Sequence, residues 1–147
     1  MRPTLLLRIA TVVNLLFAVG HTVGFLSFRP VSPEGQAARH ALAAVFTEDG
    51  SQFSYMGFYK GFGLVCTFAM LLIAGWSWWL GGLARSAPRM TVPPLVMLLL
   101  YTLAGLVLAA FFFPVPAVIF SALLPILYGL ALVGAIRASR TAPSSRA

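Results

Sequence analysis

The sequence predicts an all-α membrane protein: a bundle of four transmembrane helices with a short amphipathic helix in the first outer loop. Three observations carry that expectation. Of 147 residues, 60% are hydrophobic and only 9% are charged, whereas a soluble domain carries roughly 25% charge. With a mean hydropathy of +0.93, so short a chain cannot hide its apolar surface from water, and its solvent must be lipid. Four apolar runs, 9–28, 58–80, 94–113 and 117–136, each come close to the ~20 residues that a helix needs to cross a bilayer. None of them alternates apolar and polar residues, as the strands of a barrel would.

The first run follows Arg2 and Arg8, a basic start shared with secretory signals. It stays apolar to Phe28, too long for a signal core of roughly 7–15 residues, and is read as a retained span. Between it and the second run lies a loop, 29–57. There Ser32-Pro33-Glu34 supplies a helix start, with a serine cap, proline at the first position and an acid in the first turn. Ala38, Leu42, Val45 and Phe46 recur at helical spacing, so a short amphipathic helix is expected, ended by Glu48-Asp49-Gly50-Ser51. In the second run Tyr55 and Tyr59 mark one end and Trp76, Trp78 and Trp79 the other, as interfacial aromatics do. Pro114-Val115-Pro116 joins the third and fourth runs, its prolines stopping one helix and starting the next. One transmembrane domain, 1–137, is therefore expected, with a disordered tail over 138–147.

Charge gives orientation. Arg2, Arg8, Arg85, Arg89, Arg137, Arg140 and Arg146 fall on one side, seven of the ten basic residues. All three acids, Glu34, Glu48 and Asp49, fall in the opposite first loop. Both termini are expected in the cytoplasm of a bacterial inner-membrane protein that crosses the membrane several times.

Several chemistries are disfavoured. The basic residues punctuate apolar runs and form no patch interleaved with aromatics, so nucleic acid is not an expected partner. The single cysteine, Cys66, excludes an internal disulfide and a paired-thiol redox centre, and is read as a small buried packing residue. Two histidines, His21 and His40, and one cysteine are too few for a zinc or haem site, so no metal or cofactor is expected. No apolar run contains Asp or Glu, the groups on which proton-coupled export most often depends.

What remains is a small polar set within the apolar runs. Asn14 and His21 lie two helical turns apart and share a face. Gly20 and Gly24 form one GxxxG beside His21, while Gly57 and Gly61 form another around Lys60. Small residues let helices approach closely in lipid, so these four glycines are expected to pack the first two spans together. By helical rise His21 lies roughly 20 Å above Arg8, and Lys60 roughly 28 Å from Trp79, near the outer edge. Intramembrane ionisable groups are costly and therefore functional candidates. The bland alternatives are a histidine bonded to a neighbouring carbonyl, a snorkelling lysine and an asparagine that joins two helices. The candidate ligand-binding residues are His21, Lys60, Tyr55, Tyr59 and Asn14, at an outer mouth between the first two spans.

The basic start, the GHTVGF of the first span, the long loop and the FSYMGFYKGFGL entering the second resemble uncharacterised bacterial four-helix membrane proteins. The wider architecture is similar to that of the DoxX-type group. The resemblance covers most of residues 5–80, and it implies a bacterial inner-membrane location and a four-helix fold but no catalytic residues.

The expected function is a binding module or accessory subunit for membrane lipid or a small apolar or anionic amphipathic molecule. A membrane-protein partner or a second copy of the chain would fit the same surfaces. A membrane enzyme, with His21 as acid/base and Lys60 stabilising negative charge, and a purely structural subunit are the alternatives. The enzyme is the least favoured of the three, because no helix offers a convergent catalytic set.

Overall fold

A computed structural model describes residues 2–141. Helix α1 spans Pro3–Ser27, α2 Pro33–Ala43, β1 Phe46–Glu48, β2 Ser51–Phe53, α3 Tyr55–Ser86, α4 Val92–Phe112 and α5 Val115–Thr141. A 3₁₀ turn, Pro88–Thr91, leads into α4. The four long helices are each long and apolar enough to cross a membrane. Apolar side chains such as Phe62, Phe68, Leu100 and Phe111 are exposed along them, an arrangement stable only where lipid replaces water.

The helices run past the apolar runs that announced them. α1 begins at Pro3, where the proline's missing N–H costs nothing in the first turn. α5 continues to Thr141, four residues into the stretch expected as tail, and 142–147 lie outside the described residues. Between α4 and α5, Phe113 is extended (φ −125°, ψ 157°), because the following proline disfavours helical backbone before it.

The loop after α1 departs from expectation. Ser32 caps α2 as expected, its hydroxyl accepting the Gly35 N–H at 3.1 Å. The helix then stops at Ala43, so Val45 and Phe46 are not part of it. Instead β1 and β2 form an antiparallel hairpin in which Phe46 pairs with Phe53 and Glu48 with Ser51. Asp49 (φ 49°) and Gly50 (φ 76°) make the turn. Two positive φ angles match the twist of paired strands, and Asp-Gly adopts them readily.

Two compact units are present: residues 2–17 with 70–141, and Ala18–Ala69. In the first, one core gathers Leu6, Leu7 and Ala10 of α1, Leu80 and Ala84 of α3, Leu95 of α4, and Leu124, Tyr128, Ala131 and Ala135 of α5. Alanine makes up half of α5's contribution, because lipid supplies no hydrophobic drive between helices and close backbone approach must hold them. Gly81 does the same for α1 and α3: a Cβ there would lie 3.5 Å from the Leu7 Cβ and 3.6 Å from the Thr4 carbonyl.

In the second unit, Ala18–Ala69, α1 meets α3 through polar side chains and one aromatic ring. The Thr22 hydroxyl donates to the Ala18 carbonyl at 2.7 Å and lies 2.8 Å from the Thr67 hydroxyl. Thr67 likewise reaches the Gly63 carbonyl at 3.1 Å, so each hydroxyl has a backbone acceptor beside its partner and either can donate across the pair. Aromatic rings join the hairpin to the start of α3: Phe46 lies 5.3 Å from Tyr55, and Phe53 stacks on Phe58 at 5.7 Å.

Candidate functional site

The glycines of α3 decide where space is left. A Cβ on Gly63 would fall 2.7–2.9 Å from the Phe25 ring, so Gly63 is where α1 and α3 close on each other in this unit. A Cβ on Gly20, Gly24 or Gly61 would meet nothing within 4 Å, and one on Gly57 only its own cap, Ser54. This corrects the expected glycine contact. The packing face of α3 is set by Gly63, which lies roughly 200° around the helix from Gly61, and Gly20, Gly24, Gly57 and Gly61 leave space rather than close it.

At Gly57 and Gly61 the space belongs to a groove of about 580 Å³ along α3 beside the hairpin, within the range typical of ligand pockets. Ser54, Gly57, Phe58, Gly61, Phe62 and Val65 provide the helical face, at alternating steps of three and one residues. Val45, Gln52 and Phe53 provide the other side. Gly57 and Gly61, one turn apart, give a bare strip between phenyl rings. Polar groups are confined to Gln52 and Ser54, near the start of α3. The Ser54 hydroxyl accepts the Gly57 N–H at 3.0 Å, capping the helix, and its own proton remains a donor.

None of the five expected ligand residues lines this groove. His21 is half-buried, with Nε2 3.1 Å from the Gly63 carbonyl and its ring 5.1 Å from Phe25. A carbonyl can only accept, so Nε2 carries the proton and donates. Phe25 in turn meets Tyr59 edge-on at 6.2 Å. Tyr59, Tyr55 and Lys60 are exposed, and Lys60 shares no hydrogen bond with His21. A paired acid/base site at His21 and Lys60 is therefore not assembled.

Asn14 belongs to the other unit and is 2% exposed. Its amide donates to the Ala10 carbonyl at 3.2 Å and to the Tyr128 hydroxyl at 2.9 Å. Tyr128 lies 2.6 Å from the Ser77 hydroxyl, which donates to the Ile73 carbonyl at 2.8 Å. One proton per hydroxyl fixes the direction: Asn14 to Tyr128, Tyr128 to Ser77, Ser77 to Ile73. With both amide N–H groups used inside the protein, Asn14 has a structural role and not the ligand contact expected of it. Cys66 departs the other way: it is exposed and does not pack in a core. Among the described residues, no three His, Cys, Asp or Glu side chains come together as metal ligands.

Sequence reading missed Tyr128, Ser77, Gly63 and Gly81. Only the hairpin side of the groove had a readable local signal, Asp49-Gly50 between two short β-prone segments.

This architecture defines a class, a helical membrane protein that crosses the bilayer several times. Beyond the class, the chain matches no family model, no curated protein and no solved structure.

Proposed function

We propose that the protein is a binding module for a lipid-like amphiphile, whose apolar chain lies along α3 in the groove over Gly57 and Gly61. The observation that carries this reading is a bare glycine strip flanked by Phe53, Phe58 and Phe62 on a helix whose solvent is lipid. A narrow apolar trough suits an extended alkyl or isoprenoid chain. Gln52 and Ser54 suit a polar head that accepts hydrogen bonds, a carboxyl group included. The site differs from the expected mouth between the first two spans, and His21 serves it only from behind, through Gly63. We further place the protein in a bacterial inner membrane with both termini cytoplasmic, on the strength of its seven basic residues on one side against three acids on the other. Kinship with the DoxX-type group belongs to this proposal and rests on residues 5–80.

The test fills the groove. Gly61→Leu places a side chain where a Cβ meets nothing within 4 Å, so the protein should fold with unchanged thermal stability. Binding of cis-parinaric acid to the purified protein, read by fluorescence, should fall about tenfold or more in this variant, as expected when a buried chain loses its trough. Undiminished binding by folded Gly61→Leu would overturn the proposal.

A further inference from the structure

Arginines that orient a membrane protein ordinarily spread into water. Three of them here converge. Arg2 and Arg8 of the α1 end and Arg85 of α3 line one cavity of about 730 Å³, which Thr4, Ala84 and Ala138 help to enclose. Among the described residues no carboxylate lines it, and the Asp and Glu residues of the chain all fall within 34–49.

Arg8 is the unusual member. It is half-buried, and its guanidinium carbon sits 3.2 Å from the centroid of the Trp78 ring. Its Nε lies 3.5 Å from where a Cβ on Gly81 would be, so the bare glycine gives the side chain its bed. Stacking satisfies the face of the guanidinium but not its edge. At that edge Nη1 is buried and has no hydrogen-bond partner among the described residues. A charged donor withdrawn from water without an acceptor is strongly unfavourable, and two further positive charges on the same cavity add to the demand for an anion.

We propose that this cavity is a binding site for a phosphate-bearing anion, with the guanidinium groups of Arg2, Arg8 and Arg85 as its donors. Planar guanidinium edges match phosphate oxygens in paired hydrogen bonds, and three arginines balance more than one negative charge. The phosphate comes either from an acidic phospholipid headgroup or from a free phosphorylated solute. The site shares no residue with the groove over Gly57 and Gly61, and stands or falls independently of it.

The purified full chain decides both points. In one arm, native mass spectrometry compares retention of phosphatidylglycerol with that of phosphatidylcholine. In the other, inorganic phosphate is titrated against thermal stability in detergent. Preferential retention of phosphatidylglycerol identifies a headgroup site, and stabilisation by phosphate identifies a solute site. Arg8→Gln and Arg85→Gln should each weaken the effect about tenfold, the loss of one charge-assisted contact. Arg89→Gln, an exposed position outside the cavity, should leave it unchanged. Should Arg8→Gln fail to fold, exposed Arg85 carries the test alone. Neither ligand bound, or equal losses in all three variants, would reduce the cavity to diffuse surface charge and overturn the proposal.

Discussion

The two units solve the problem of holding helices together in lipid in different ways. Residues 2–17 and 70–141 bury leucine, alanine and tyrosine around a polar chain with every proton assigned. In Ala18–Ala69 only Ala18 is buried; its helices meet through His21, Thr22, Thr67 and the Phe25 ring over Gly63. The sealed core of the first unit leaves no room for an apolar chain among the helices. The second unit keeps its fold with few buried atoms, and that economy leaves the groove open. The buried core and the open apolar groove are thus divided between the two.

Truncation should break this contrast most sharply. Tyr128→Ala, at 0% exposure, should cost about 3–5 kcal/mol in unfolding measured in detergent, the loss typical of a large side chain removed from a core. Phe62→Ala, at 70% exposure, should cost under about 1 kcal/mol while weakening parinaric acid binding. Equal losses of stability would erase the distinction between the units.

Overpacking comes next. Gly63→Leu should destabilise by about 1–3 kcal/mol, because the Phe25 ring must move, whereas Gly24→Leu should leave the unfolding midpoint in place. The opposite ranking would restore the GxxxG face as the helix contact.

Smaller effects separate the polar groups. Tyr128→Phe deprives Asn14 of an acceptor and Ser77 of a donor, and should cost about 1–2 kcal/mol. His21→Leu loses the single bond to Gly63 and should cost about 1 kcal/mol, with parinaric acid binding retained over pH 5 to 8. Binding abolished in a folded His21→Leu protein would return this histidine to the ligand site. The smallest expected change is Gly20→Ala: with open space beside it, added helix propensity should stabilise by up to about 1 kcal/mol.

How much of this was legible follows from the range of each signal. The four spans, the Ser32 cap and the Pro114-Val115-Pro116 break are local, set by run length and backbone restriction, and they are found where the sequence puts them. The hairpin was local too, but helical spacing across Ala38, Leu42, Val45 and Phe46 competed with Asp49-Gly50, and the turn chemistry won. The helix ends were underestimated because hydropathy marks the hydrocarbon layer, whereas the backbone hydrogen bonds of α1 and α3 continue past Leu7 and Gly81. The candidate site depended on rotational phase. GFYKGFG offers three glycines, and their spacing alone does not say which of them faces α1. Asn14 could be marked as polar and out of place, but its partner, Tyr128, lies 114 residues away, beyond any local pattern.

The Asn14–Tyr128–Ser77 chain also acts against wrong arrangements. Apolar helices in lipid can rotate against one another at small cost, since a leucine facing a tail is almost as content as one facing a helix. Turning α5 by one residue, about 100°, would carry the Tyr128 hydroxyl away from both partners and leave it and one Asn14 N–H without a partner in hydrocarbon. A single buried asparagine fixes register in coiled coils by the same logic. Of the many near-equal ways to pack α1, α3 and α5 within this unit, the chain singles out one azimuth for each.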